Sequence, residues 1–491
     1  MTKKAGSNPN PYSLDPEDWQ NFRQNAHLML DDMLEYLETL RLRPVWQPIP
    51  ESERSLFRNP LPWLPEDIMS VHKTFMNHIL PFGVGNSHPR FMGWIHGGGT
   101  PAGMLAEMLS AGLNANLGGR NQIPVAVEQE VIHWMLELFG FPDNASGIFV
   151  TGTSIANLIG LLVARTAAVG DKVHEKGVEG ENLVAYASAS AHTSILQAFD
   201  LAGLGTLSLR SIPVNKIHQI DIVALENAIN DDKRKNLRPF FIAATAGTVD
   251  VGAIDDLSGL SDIARREKIW LHVDGALGAL AILAPDLAPR LKGIELADSL
   301  AFDFHKLGQV PYDAGVILVR DAVLHHQTFV SKAAYLHRET QGVAGGSPWP
   351  CDFGPDLSRG FRAFKAWFTF KVYGAKKIGE MISNTCALAR YMQSRILSTP
   401  DLELLAPVSL NIVCFRYLCS NPDEVNAKIA IKIQESGIAV PSTTRIDGKL
   451  AIRAAITNHR TSSEDIDALL AAARSFGISI SDPDSQRPLR P

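Results

Sequence analysis

Lys306, Asp274, His192 and the run Thr151-Gly-Thr-Ser154 are the residues of this chain whose types and spacing could do chemistry. The run Thr151–Ser154 follows the apolar stretch Ile148–Val150 and opens a helical one. Free backbone N–H groups, hydroxyls and the positive end of a helix dipole would converge there, which suits a phosphate. His192 closes Ser188-Ala-Ser-Ala-His192 after the run Leu183–Tyr186. Asp274 follows Ile269–Val273 and is trailed by Gly275 and Ala276, small enough to let a carboxylate lie under a flat ring. Thr245-Ala-Gly-Thr248, after Phe240–Ala244, is equally small and hydroxylated. Lys306 ends Asp303-Phe-His-Lys306 after Ser299–Phe302, where a lysine is costly unless paired or reacted. Taken singly, these read as a helix cap, a structural histidine, a turn and a surface lysine.

Taken together they form a toolkit. Pyridoxal phosphate requires a lysine for a Schiff base, an acid for the pyridinium nitrogen and a helix N-terminus for the phosphate, and gains from a flat group on its ring. Lys306, Asp274, Thr153 with Ser154, and His192 supply one of each, and Asp274 and Lys306 are 32 residues apart, room for one helix and one strand.

The elements that must position these residues follow from the hydrophobic pattern. Between about 100 and 320, apolar runs at 148–150, 183–186, 240–244, 269–273, 299–302 and 316–319 alternate with helical stretches such as 155–168 and 257–267. That alternation predicts an α/β domain with a mainly parallel sheet covered on both faces, its ligand beyond the carboxyl ends of the strands. From 373 onward a long helix (376–396), two strands (412–417, 449–455) and helices near 427–436 and 463–475 predict a smaller α+β domain. The expected division is 1–90 for an arm and helical segment, 91–372 for the large domain and 373–491 for the small one. Asp15 with Pro16 reads as the start of an amphipathic helix carrying Phe22, Ala26, Met29, Leu30, Met33, Leu34, Leu37 and Leu40. Residues 44–65 are proline-rich and extended, and 476–491 read as a frayed tail.

Composition bounds the rest. The 491 residues are 45% hydrophobic and 20% charged with a net charge of −6, which suits a globular protein and argues against a nucleic-acid partner. The longest apolar or glycine stretch, Gly275–Ala284, is too short for a membrane span. No apolar leader follows Lys3 and Lys4. Cys351, Cys386, Cys414 and Cys419 have neither CxxC nor metal-ligand spacing, so a reducing cytoplasm without a metal site is expected.

The chain resembles the group II pyridoxal-phosphate decarboxylases, in a pattern like that of aromatic-L-amino-acid decarboxylases. The matching residues are His88-Pro-Arg-Phe91, Thr151-Gly-Thr-Ser-Ile-Ala-Asn157, Ala191-His192, Gly247-Thr248, His272-Val-Asp-Gly-Ala276, His305-Lys306 and Arg362-Ala-Phe-Lys-Ala-Trp367. The resemblance implies the aspartate-aminotransferase fold (fold type I), a seven-stranded sheet and a homodimer with the active site at its interface. It implies that Lys306 carries the cofactor, Asp274 holds the pyridinium N–H and His192 stacks on the ring near the substrate carboxylate. Gly152, Thr153 and Ser154 would bind phosphate with His305 and Asp303 beside it, and Thr248 and Ala276 would line the ring. Trp94, Ile95 and His96 would shape the side-chain pocket, and Arg453 would meet a substrate carboxylate. The implied reaction is loss of carbon dioxide from an L-amino acid, with an aromatic one expected.

Two residues depart from the pattern. Asp303 stands where many relatives carry Asn, and the stretch 341–357 lacks the loop tyrosine that reprotonates Cα, leaving Tyr312 or Tyr335 as substitutes. An aldehyde synthase therefore stands beside the decarboxylase, as does action on an acidic substrate through Arg90, Arg120 or Arg453. Gly97, where relatives often carry a hydroxyl, suggests a ring held differently from a catechol. A serine hydrolase built on His96-Gly-Gly-Gly99 and Ser154 would leave His305-Lys306 unexplained. A scaffold without catalysis would leave Lys306, Asp274 and His192 unexplained together.

Overall fold

The apolar runs become one seven-stranded sheet in the computed structural model, which describes residues 12–330 and 338–481. Its strands are β1 (Ser146–Val150), β2 (Leu183–Ser188), β3 (Leu209–Ile212), β4 (Arg238–Thr245), β5 (Trp270–Asp274), β6 (Ser299–Asp303) and β7 (Gly315–Val319), in the order β1-β7-β6-β5-β4-β2-β3. β7 alone runs against its neighbours, so the sheet is mixed and mainly parallel. β3 escapes the hydrophobic pattern because it is an edge strand in which only Ile212 is buried. Helices cover both faces of the sheet, as parallel strands require. Thr153–Val169 is apolar on most of its circumference because it lies between the sheet and the helix Thr193–Leu201. Leu257–Glu267 is amphipathic, capped by Asp256 and ended by Lys268 in a left-handed conformation.

A second, antiparallel sheet forms the C-terminal domain: β8 (Leu402–Leu404), β9 (Ile412–Tyr417), β10 (Ser442–Ile446) and β11 (Lys449–Ala455), in the order β10-β11-β9-β8. The helix Arg362–Leu397 links the two sheets and is broken at Gly374, where φ is 76°. Glycine meets that backbone conformation without a Cβ penalty. Met92 reaches back into the C-terminal core with Met392, Phe415, Ile429 and Leu469. Its backbone donates to Val440 O and accepts from Ala455 N–H.

Two helix termini and one segment differ from the sequence reading. The first helix is Trp19–Glu38, and its cap is Asp18, whose carboxylate accepts from Gln20 and Asn21 N–H; Asp15 and Pro16 lie outside it. None of its residues is buried within the single chain, and Leu40 beyond it is. The last helix continues to Ser481, because Phe476 and Ile480 pack on the C-terminal core; residues 482–491 lie outside the described residues. The segment 44–65 contains a short helix, Glu51–Ser55. No described helix is long and apolar enough to cross a membrane.

Candidate active site

Parallel register brings the chemistry to one end of the sheet. Thr245 at the end of β4 pairs with Asp274 at the end of β5, and Asp274 with Ala301, two residues before Asp303. A cavity of about 330 Å³ opens there, lined by Gly152, Thr153, Ser154, His192, Asp274, Ala276, Asp303, His305 and Lys306 together with Trp94, Ile95 and His96. A recess of about 410 Å³ at the opposite end of β4 and β5 is lined by none of them.

Lys306 Nζ lies 2.8 Å from Asp303 Oδ2. The other oxygen of Asp303 accepts from Thr153 N–H at 2.9 Å, at the start of the helix. Both oxygens of this buried acid therefore face donors, which answers how a carboxylate is tolerated at that position. Thr153 Oγ1 is buried with no hydrogen-bond partner among the described residues, an acceptor and donor left for a ligand at the helix N-terminus.

Asp274 is buried and accepts from Ala276 N–H at 3.1 Å and from Asn157 Nδ2 at 3.0 Å. His192 caps the Thr193–Leu201 helix: Nδ1 accepts from Ser194 N–H and lies 2.8 Å from Ser194 Oγ, leaving Nε2 for the cavity. His305 Nδ1 accepts from Ala314 N–H, and its ring packs 4.3 Å from that of Tyr312, centroid to centroid. Burial lowers the His305 pKa below the ordinary range, and burial followed by the Lys306 charge does the same at His96.

Two expected residues lie elsewhere. Thr248 is buried behind the cavity wall, its hydroxyl accepting from Ala253 N–H; Thr245 and Gly247 line the cavity instead. Arg453 does not reach the cavity. Its guanidinium donates to Val249 O, Gly93 O and Ser442 Oγ, tying β11 to the backbone on both sides of the wall. Tyr312 lines the cavity, and Tyr335 lies outside the described residues. Gly97 has a steric reason: a Cβ there would meet His305 O at 2.5 Å and Lys306 O at 2.7 Å. The Gly97 and Gly98 N–H groups donate to His305 O and Gln309 Oε1, so they are not free to form an oxyanion hole for Ser154.

Sequence reasoning gave no role to Asn157, Ser194 and Ser299, which hold Asp274, His192 and His272 from behind. The one available signal was an asparagine inside the apolar run Ile155–Ile159.

The fold, with a lysine, an acid, a histidine and an open helix N-terminus on one cavity, defines a pyridoxal-phosphate enzyme of fold type I. Residues 50–418 match the family model described as the pyridoxal-dependent decarboxylase conserved domain, and the chain belongs to that family of amino-acid carboxy-lyases. It is 32% identical to the aromatic-L-amino-acid decarboxylase of Bacillus atrophaeus, over 94% of this chain and 96% of that one. It is 28% identical to the phenylacetaldehyde synthase of Petunia hybrida, over 92% and 93%. The structure of Oryza sativa TDC with PLP and tryptamine superposes with a TM-score of 0.89 at 22% identity, covering 96% of this chain and 100% of that one, a likeness of fold.

Proposed function

We propose that the protein decarboxylates an aromatic L-amino acid to its amine and carbon dioxide. The observation that carries the reading is the composition of the cavity wall. Trp94, Ile95, His96, Val249, Leu277 and Tyr312 line it, and Lys306 is the one Lys or Arg among its described lining residues. The arginines that would suit an acidic side chain are engaged elsewhere: Arg90 is 3.8 Å from Asp465, Arg120 stacks 4.4 Å over Trp349, and Arg453 holds backbone carbonyls.

When bound, pyridoxal phosphate supplies an electron sink for the pair released as the Cα–carboxylate bond breaks. Lys306 would hold it through its amine, and Asp274, braced by Asn157 and Ala276 N–H, would serve its ring nitrogen. His192 would pack on it from the cavity wall, and Thr153 Oγ1, Ser154 and the helix N-terminus would hold the phosphate. A proton must then reach Cα, and the Tyr312 hydroxyl is the tyrosine available on the described wall.

A second reading rests on the stretch 341–357, which has no tyrosine, and on the similarity to an aldehyde synthase. There dioxygen and water would be consumed with the amino acid, dioxygen being reduced to hydrogen peroxide, and aldehyde and ammonia would appear with carbon dioxide in place of the amine. The test is incubation of purified protein with Trp, Tyr, Phe and Glu while carbon dioxide, amine, aldehyde and peroxide are assayed together. Carbon dioxide and amine in equal yield from an aromatic substrate is the expected result. Faster turnover of glutamate overturns the substrate reading, and peroxide with aldehyde moves the product.

The same reading includes a homodimer, in which a second copy covers Trp19, Phe22, Leu28 and Leu34 on the exposed N-terminal helix. It includes the domain division at 90 and 372, supported by the helix break at Gly374. A cytoplasmic setting is in keeping with four free thiols.

A further inference from the structure

Behind Asp274 a line of polar side chains runs along β5, between the sheet and the helix Thr153–Val169. Trp270 Nε1 donates to Ser299 Oγ at 2.8 Å. Ser299 Oγ lies 2.8 Å from His272 Nδ1, His272 Nε2 lies 2.9 Å from Asn157 Oδ1, and Asn157 Nδ2 donates to Asp274 Oδ2 at 3.0 Å. His272, Asn157 and Ser299 are fully buried. The helix makes room for the line at Gly160, where a Cβ would meet His272 Nδ1 at 2.7 Å and Ser299 Oγ at 3.2 Å.

The two ends fix its direction. At one end an indole N–H only donates, and at the other the Asn157 amide N–H donates to Asp274 Oδ2. With Trp270 donating, Ser299 passes its own proton to His272 Nδ1. The imidazole then carries its proton on Nε2 and gives it to Asn157 Oδ1, and the amide turns its NH₂ to Asp274. Burial keeps His272 neutral, its pKa down to about 3, so it can accept on one nitrogen and donate from the other. The reverse direction, with Asp274 protonated and donating, would leave Ser299 receiving from both Trp270 and His272, with its own proton unplaced within the line. The second Asn157 N–H reaches Ser194 Oγ at 3.1 Å, and Ser194 in turn meets His192.

We infer that Trp270, Ser299, His272 and Asn157 are positioning residues that act through Asp274, forming a one-way hydrogen-bond line whose last donor, the Asn157 amide, is aimed at its carboxylate and so selects a ring carrying a protonated nitrogen. This rests on the reading that Asp274 faces the cofactor nitrogen. Aligned donors polarise one another in a low-dielectric interior, so a change at the surface end is felt at the carboxylate. Trp270 is the accessible end, lining the recess at the opposite end of β4 and β5.

The test compares two ligands on the full chain freed of cofactor: pyridoxal phosphate and its analogue with carbon in place of the ring nitrogen. Dissociation constants come from equilibrium dialysis. Wild type binds pyridoxal phosphate more tightly than the analogue. W270F, which keeps an aromatic ring and loses the donor, lowers that preference about fivefold, the scale of one hydrogen bond, and S299A lowers it at least as much. The analogue's own constant stays within about twofold, well under that scale. Equal weakening of both ligands, or an unchanged preference in both variants, overturns the inference and makes the line a packing feature. A wild type that does not distinguish the ligands overturns the Asp274 reading instead. S299A keeps the test open should W270F fail to fold.

Discussion

Asp274 and Asp303 close neighbouring strands, and both are buried, yet they are held in different ways. Asp274 rests on neutral donors that belong to the fold, the Asn157 amide and the Ala276 N–H. Asp303 shares itself between the Thr153 N–H and the Lys306 ammonium. The first carboxylate is held by groups built into the fold. The second depends on a charged side chain that also lines the cavity. On the proposed function, one is a fixed part of the electrostatics and the other a counterion whose partner would change as Lys306 reacts. Asp255 is a third case: it accepts from Ile220 and Thr245 N–H, with no cation paired to it among the described residues, and burial pushes its pKa up to about 6.

Substitutions sharpen or break this contrast. Lys306→Ala removes the reactive amine and leaves Asp303 without its cation; activity falls on the order of 10³-fold or more, and the visible absorption of bound cofactor is lost. Retained absorption would show that another group carries the cofactor. Asp274→Asn keeps shape but not charge, and kcat/KM falls on the order of 10²-fold, as when a built-in electrostatic contact is removed. Asp303→Asn can still accept from Thr153, so cofactor affinity, measured by dialysis, changes by less than about tenfold. A loss as large as at Asp274 would erase the distinction between the two.

Asp255 acts on stability alone. Its raised pKa means that the folded state holds the proton more tightly than the unfolded one. The contribution is present in full below about pH 4 and is lost as pH rises through about 6. Denaturant titrations from pH 4 to 7 should show wild type losing at most about 3 kcal/mol relative to Asp255→Asn. Parallel curves would remove Asp255 from the comparison.

Much of this arrangement was legible in the sequence, for a physical reason. Strands buried on both faces read as apolar runs, and the residues just past their ends must meet a ligand or a cap. Six strands and the cavity positions of Lys306, Asp274, His192, Thr153 and Ser154 follow from that rule. β3 did not, because an edge strand need not be apolar. Thr248 and Arg453 lie near the cavity in sequence terms, but which way a side chain turns past a strand end depends on tertiary packing. Asn157 and Ser299 gain their meaning only when helix and sheet meet. Asp18 outcompetes Asp15 as a cap through hydrogen-bond geometry that spacing alone does not reveal.

Met92 has a consequence for modularity. The C-terminal core is completed by a residue more than 300 positions upstream in the chain, stitched in by Val440 and Ala455. The C-terminal domain is therefore not a cassette. A recombinant graft of 373–491 onto a relative's large domain would inherit that relative's plug in place of Met92, and chimeras should succeed only when the short segment around Arg90–Met92 travels with it.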